Sequence, residues 1–308
     1  MSATACYTNP ALDPASNFSR IAYSVGALSF GISSVEPDLR LVLDQNVAQF
    51  ETSSSRDCDV EVEVGWAQRL EVPGEKAAFQ SGGLWSAYPE DGGTAFYFQT
   101  DFLGKEPYKY AWFNSDYTQG RVSLLCRYYS ADVPVYPLEY PLDELLMIHR
   151  ISRGYGAEVH ACGVVTKDGV GRLFIGHSGA GKSTSSRLWL KQDGALVLSD
   201  DRIIVRLQDG VVRMHGTPWH GDAGLAAQAS APLSKIYLLE HAPVNEIIPL
   251  PSALAAAEIF TRVFVPHHSD VSLQETLAFV EKMVSSIPVA RFRFKPDESA
   301  IEEILRAS

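Results

Sequence analysis

A glycine-rich loop between an apolar strand and a helix is the feature that most constrains how this chain folds. Residues 176–184 read Gly-His-Ser-Gly-Ala-Gly-Lys-Ser-Thr, which satisfies the pattern G-x-x-x-x-G-K-[ST]. Before this loop, Arg172–Ile175 predicts a short buried strand, and after it a helix is predicted from Lys182 to about Gln192. Backbone N–H groups in such a strand–loop–helix turn cradle phosphate oxygens. The sequence therefore predicts a phosphate site, and the alternative is a glycine turn that matches by chance.

Each residue type in this loop has a physical role in binding phosphate or metal. Glycines bring successive N–H groups to phosphate oxygens without a Cβ in the way, and the helix adds positive partial charge at its N-terminus. The Lys182 ammonium is expected beside the β- and γ-phosphates, and the Ser183 hydroxyl is expected to ligate Mg²⁺. The predicted nucleotide-binding residues are Gly176, Ser178, Gly179, Ala180, Gly181, Lys182, Ser183 and Thr184.

Two adjacent aspartates follow the next apolar strand of the chain. Asp200 and Asp201 come after the predicted strand Ala195–Leu198 and begin 17 positions after Ser183. A metal-binding acid at the end of a neighbouring strand is typical of phosphate-loop proteins. We predict that one carboxylate faces Mg²⁺ while the other faces a hydroxyl or a basic group; the alternative is a solvent-facing acidic turn. His160, upstream of the loop, is either a core histidine or a member of this site.

Residues 215–222, His-Gly-Thr-Pro-Trp-His-Gly-Asp, are rich in groups that contact ligands. Asp222 is predicted to be a further acid around the metal, and Trp219 is predicted to line an acceptor pocket. A loop packed over the sheet edge is one alternative, and a zinc site is another. Downstream, residues 267–270 are expected to cap a helix, and Arg262 is expected on a solvated helix face, with a phosphate contact as its alternative.

The pattern of predicted elements changes near the middle of the chain. From Ile21 to Ala131, short β-rich runs between turn-forming residues predict a mainly antiparallel sheet. The second half alternates strands and helices and contains an Asp209-Gly210 hairpin signal, which predicts an α/β domain with a mixed sheet. The predicted class is therefore α+β or α/β. The predicted parts are an N-terminal arm (1–20), a β-rich recognition or regulatory domain (21–135) and a phosphate-loop domain (136–308).

Composition narrows the classes of partner. The 308 residues carry 26 Lys and Arg against 37 Asp and Glu, a net charge of −11, so we expect no nucleic acid partner. Residues 1–150 hold 10 basic against 20 acidic side chains, which favours solubility or, alternatively, a basic partner. The sequence shows no pattern of a secretory signal. Its apolar runs are much shorter than the ~20 residues that a membrane helix needs. Four scattered cysteines are typical of a reducing compartment, so we predict a cytoplasmic protein without a membrane partner.

The run from His160 through the loop to Leu198-Ser199-Asp200-Asp201-Arg202 resembles the catalytic domain of HPr kinase/phosphorylase and its relatives, a group distantly similar to the ATP-dependent phosphoenolpyruvate carboxykinases. The resemblance covers about residues 137–305. It implies a kinase that uses ATP and Mg²⁺ to phosphorylate a hydroxyl, a serine of a small protein or peptide.

The resemblance also implies a role for each matching residue. Asp200 would be the catalytic base and Asp201 its acidic partner. His160 would lie near the transferred phosphate and tune Asp200, and Lys182 would contact the phosphates. Combined with the motif analysis, the predicted metal ligands are Ser183, Asp201 and Asp222.

Two departures from the family pattern leave the acceptor open. Thr184 stands where the bifunctional enzymes commonly have an acid, and their downstream glycine-rich signature with Arg and Glu is not visible. Phosphorolysis and HPr as substrate are therefore not implied. The alternatives are a catalytically weak nucleotide-binding regulatory or scaffold protein and, less favoured, a small-molecule kinase or a carboxykinase-like enzyme. A homo-oligomer is left open by the sequence.

Overall fold

The computed structural model describes residues 19–53 and 57–307 and divides into two compact units. The first unit extends to Leu146, and the second begins at Met147 and also includes Val25–Ala27. The sequence predicts this boundary between residues 135 and 136. The predicted N-terminal arm lies outside the described residues except for Ser19 and Arg20, which begin the first strand.

Within the described residues, the first unit is a single eight-stranded sheet with one short helix. Its elements are β1 (Ser19–Val25), β2 (Leu28–Ser34), α1 (Gln45–Ala48), β3 (Val60–Ala67), β4 (Phe79–Gln80), β5 (Trp85–Glu90), β6 (Gly93–Thr100), β7 (Gly104–Asn114) and β8 (Gln119–Leu125). The strand order is β1-β2-β3-β8-β7-β6-β5-β4. The pairs from β8 to β4 are antiparallel, but β2–β3 and β3–β8 are parallel. The sheet is therefore mixed, and the prediction of a mainly antiparallel sheet missed its two parallel pairs.

Alternating side chains form the core of this unit. In β3 the valines at positions 60, 62 and 64 are buried, whereas Glu61 and Glu63 point to the other face. The side chain of Lys109 is fully buried in this unit. Its ammonium lies 3.0 Å from Glu139 Oε1 and 4.7 Å from the centre of the Phe98 ring. Burial lowers the pKa of Lys109.

Within its described residues, the second unit contains a mixed sheet of nine strands, accompanied by helices. Helix α2 (Leu142–Ile151) spans the division. The remaining elements are β9 (Gly156–Val165), β10 (Gly171–Ile175), α3 (Lys182–Trp189), β11 (Leu196–Ser199), β12 (Arg202–Gln208), β13 (Val211–His215), β14 (Ser230–His241), β15 (Glu246–Pro249), α4 (Ser252–Phe260), β16 (Val263–Phe264), α5 (Asp270–Ser286), β17 (Val289–Phe294) and α6 (Ser299–Arg306). The protein is thus a mixed α/β structure made mostly of strands.

Two long strands organise this second sheet. The first half of β9 pairs with β12 and β16, and its second half pairs with β10 and β11. Strand β14 pairs first with β13 and then in parallel with β10 and β17. Apolar strands of this sheet pack against α4 and α5 in one core cluster, which contains Val159, Ile236, Ile259 and Met283.

Several local predictions are confirmed in this unit. The Asp209-Gly210 turn joins β12 and β13, and both residues have positive φ, 50° and 79°. Ser269 caps α5, where its side chain accepts a hydrogen bond from the Ser272 amide at 3.2 Å.

No helix in the described part of the chain combines the length and apolar character needed to cross a membrane.

Candidate functional site

Three elements of the second unit bring the predicted site residues to one edge of the sheet. Strands β10 and β11 both run antiparallel to β9, which lies between them, so their C-terminal ends emerge on the same side. Strand β10 leads into the glycine loop (residues 176–184), β11 leads into Asp200 and Asp201, and β9 carries His160. Strand β9, which carries His160, therefore lies between β10, which leads into the glycine loop, and β11, which leads into the two aspartates.

A cavity of about 610 Å³ opens at this edge. Nine predicted site residues line it: His160, Ser178, Gly179, Gly181, Lys182, Ser183, Thr184, Asp201 and Asp222. Gly176, Ala180 and Asp200 are not among the lining residues. Sequence reasoning assigned no role to four others that line it: Arg202, Gly221, His241 and Phe264.

The glycine loop lines this cavity and contains two glycines with positive φ. Gly181 caps α3 with φ of 100°, and a Cβ there would lie 2.5 Å from Phe294 Cζ, so only glycine fits without displacement of the ring. Gly179 has φ of 79°, and a Cβ there would meet no atom within 4 Å. The loop is therefore tightly packed where it joins the helix and open at its tip.

Lys182 is the first residue of α3 and is buried beside the loop. Its Nζ donates to the carbonyl oxygens of Gly176 at 3.0 Å and His177 at 3.3 Å. Burial lowers the pKa of the Lys182 ammonium, Asp201 acts in the opposite direction and the Arg202 charge adds to the lowering. An anionic ligand in the cavity would offset the cost of this buried charge.

Asp201 is the carboxylate of the adjacent pair that faces the cavity. Its Oδ1 lies 2.8 Å from His160 Nε2, and its Oδ2 accepts from the Arg202 guanidinium. Burial raises the pKa of Asp201, but the hydrogen bond from His160 and the charge of Arg202 outweigh it, so the net shift is downward. The carboxylate is therefore held ionised, which suits a metal ligand.

Asp200 turns away from the cavity and is almost completely buried, with 1% of its surface exposed. Its carboxylate accepts three backbone hydrogen bonds, from the amides of Gly221 at 3.1 Å, Ala223 at 2.9 Å and Leu225 at 3.3 Å. Asp200 therefore anchors the loop that carries Asp222. The base role implied for Asp200 stays a prediction.

Arg262 contacts the glycine loop rather than solvent. Only 13% of its side chain is exposed, and its Nη2 lies 2.7 Å from His177 Nε2. The expectation of a solvated helix face is therefore wrong for this residue, because the turn after α4 directs its guanidinium onto the loop.

The segment 215–222 is split between the core and the cavity. Trp219 is buried and does not line the cavity, and His215 pairs with Gln208 at 2.9 Å in the β12–β13 hairpin. Across the described residues, no group of three or more His, Cys, Asp and Glu side chains is placed to hold a metal ion. The zinc alternative therefore has no support in the geometry.

The lining residues fit a nucleotide with Mg²⁺. Open glycine backbone, a buried ammonium and the N-terminus of α3 offer the donors that phosphates need. Mg²⁺ keeps several waters and takes one or two protein oxygens together with phosphates. The Ser183 hydroxyl and the Asp201 carboxylate are oxygens of this kind, and both residues line the cavity. Asp222, exposed on its loop, lines the same cavity.

Comparisons with known proteins give little beyond this geometry. No family model matches the chain, and no curated protein matches it. Among solved structures, the HPr(Ser) kinase/phosphatase from Coxiella burnetii matches at 12% identity with a TM-score of 0.29, covering 49% of this chain and 91% of that chain. This is a weak and distant structural similarity.

Proposed function

We propose that this protein is an ATP- and Mg²⁺-dependent kinase that transfers the terminal phosphate to a hydroxyl group, a serine of a small protein or peptide. The observation that carries the proposal is the convergence of Lys182 and Ser183 with Asp201 and His160 on one cavity. The first pair is suited to binding phosphate and metal, and the second pair is suited to orienting a hydroxyl.

The donor side of the cavity is formed by the glycine loop and α3. When bound, ATP supplies the phosphoryl group and Mg²⁺ neutralises phosphate charge. The amides of the loop and the Lys182 ammonium bind the phosphates, and Ser183 and Asp201 hold the metal. Because phosphoryl transfer depends mainly on positioning and on charge stabilisation, no strong base is required of the protein.

The acceptor side is formed by the His160–Asp201 pair. These two side chains share one hydrogen bond and both line the cavity. We assign to the pair the binding of the acceptor hydroxyl, and we assign to Asp200 the anchoring of the 221–225 loop. Because Asp201 is held ionised and is assigned to the metal, we assign the uptake of the proton to His160, which Asp201 holds in place through the 2.8 Å contact.

One observation favours a second candidate, a catalytically weak nucleotide-binding protein. The Asp201 carboxylate is already engaged by His160 and Arg202, which leaves it a restrained metal ligand. Such a protein would bind nucleotide and act through a partner rather than by transfer.

The two candidates are separated by incubating the full chain with γ-labelled ATP, Mg²⁺ and the products of neighbouring genes. We expect label on a serine of one acceptor, and no label with the Lys182→Ala variant. Lys191→Ala is the matched control, because Lys191 is an exposed lysine in the turn after the same helix and pairs with Glu298. Nucleotide binding by the wild-type chain without transfer or hydrolysis would favour the second candidate.

A further inference from the structure

Arg202 is a cation of the cavity that the functional assignment above does not use. It is the first residue of β12 and follows Asp201 directly, and in the sheet it pairs with His160 of β9. Its side chain lines the cavity together with Lys182, and 18% of that side chain is exposed. The arginine thus lies at the boundary between the donor and acceptor sides.

The guanidinium of Arg202 is held on three sides. Its central carbon lies 4.1 Å from the centre of the Phe264 ring, which provides a flat face for stacking. Nη1 contacts Asp201, and Nε lies 3.7 Å from Oε1 of Glu158, whose side chain is completely buried. These neighbours are Glu158 on β9, Phe264 on β16 and the preceding residue Asp201, and together they leave the side chain little rotational freedom. A cation held in this way needs no reorganisation when charge develops near it.

Lys182 and Arg202 place two positive charges around one cavity. Both side chains line that cavity, Lys182 from the first position of α3 and Arg202 from the first position of β12. A group whose negative charge is spread over several oxygens would be stabilised by both. In phosphoryl transfer the charge is spread over three equatorial oxygens of the group in flight, and an arginine that contacts them is a recurrent means of stabilisation.

We propose that Arg202 is a catalytic arginine supplied by the chain itself, which contacts the transferring phosphoryl group opposite Lys182. This inference rests on the proposed function. In the step it assists, the acceptor oxygen forms a bond to the terminal phosphorus while the bond from that phosphorus to the bridging oxygen breaks. The electron pair leaves with the diphosphate, and the hydroxyl proton passes to His160.

The competing interpretation is that Arg202 only braces Asp201 and Glu158. A bracing residue would affect the nucleotide-bound ground state and the transition state alike, whereas a catalytic arginine affects chiefly the latter. Binding of a non-hydrolysable ATP analogue with Mg²⁺ reports the ground state. Binding of ADP with Mg²⁺ and aluminium fluoride, a mimic of the phosphoryl group in flight, reports the transition state.

The experiment measures both affinities by titration calorimetry on the full chain. For Arg202→Gln we expect ATP-analogue affinity within about threefold of wild type and a loss on the order of 10³-fold for the aluminium fluoride complex. Arg202→Lys keeps the charge beside Glu158 and secures a folded variant, and the same selective loss is expected because lysine lacks the planar fork. Arg213→Gln is the matched control, since Arg213 pairs with Ser230 and does not line the cavity.

The outcomes separate this inference from the proposed function. Equal losses for the two ligands, no loss for either, or wild-type binding of the ATP analogue without binding of the aluminium fluoride complex would overturn the role of Arg202. Failure of the wild-type chain to bind any ATP analogue would overturn the proposed function, and the inference with it.

Discussion

Arg262 joins the glycine loop to the strand that carries the candidate catalytic histidine. Its Nη2 donates to His177 Nε2 at 2.7 Å, and its carbonyl accepts a hydrogen bond from the His160 amide at 2.8 Å. Because an arginine only donates, His177 Nε2 is the acceptor of this hydrogen bond. One residue therefore contacts the loop through its side chain and β9 through its backbone, and burial lowers the pKa of its guanidinium.

The first prediction is that this contact contributes to nucleotide affinity by restraining the loop. His177→Ala and Arg262→Gln should each weaken binding of an ATP analogue about fivefold, the equivalent of ~1 kcal/mol for one hydrogen bond. The double variant should bind the ATP analogue with about the same affinity as the weaker-binding single variant, because both substitutions remove the same interaction. Titration calorimetry gives the four affinities of the cycle. Additive losses would show that the two residues act independently of their contact.

The parts of the site that the sequence predicted are those encoded by short local patterns. The glycine loop, the acidic pair and the Asp209-Gly210 turn each depend on a few consecutive residues whose backbone requirements are specific. Each was located where the structure has it. The family resemblance implies that His160 tunes Asp200, whereas the structure places its Nε2 2.8 Å from Oδ1 of the neighbouring Asp201.

The parts that sequence reasoning missed depend on contacts between distant segments. His241 ends β14 and Phe264 lies in a two-residue strand, and no local pattern marks either as a neighbour of the loop. The sequence pattern assigns Arg202 no role, although its place directly after the acidic pair is a usable signal. The parallel pairs of the first unit were missed for a similar reason, since an alternating strand reads the same in either direction.

The second prediction concerns stability at acid pH. Burial, assisted by the charges of Arg206 and Arg213, lowers the pKa of His215 to about 4, whereas an unfolded histidine titrates near 6.5. The unfolded state therefore binds more protons between these values, and stability present above pH 6.5 is lost as the pH falls towards 4. Between pH 7 and 5 the loss is about 2 kcal/mol. In urea unfolding, the free energy of unfolding of the His215→Gln variant should fall less than that of the wild-type chain between pH 7 and 5. Equal losses in the two proteins would contradict the assignment of this effect to His215.

The third prediction concerns the buried lysine of the first unit. Glu139→Gln leaves the Lys109 ammonium without its anionic partner, so we expect the free energy of unfolding to fall by roughly 1–3 kcal/mol. Glu139 is 44% exposed and the lysine is fully buried, so the cost falls mainly on the lysine. Lys109→Met fills the same space without a charge and should be closer to neutral. Urea unfolding followed by tryptophan fluorescence compares the two, and a larger loss for Lys109→Met would refute this account of the pair.

The fourth prediction tests whether Asp200 anchors a loop or acts as a base. An asparagine at this position turns an N–H₂ group towards backbone amides that also donate, so at least one of the three hydrogen bonds at Gly221, Ala223 and Leu225 is lost. Asp200→Asn should lower the free energy of unfolding by about 1–3 kcal/mol and speed hydrogen exchange across residues 221–225. Asp209→Asn, an exposed turn substitution in the same unit, should change neither. Loss of phosphate transfer with unchanged exchange and unchanged stability would instead assign Asp200 the role of base.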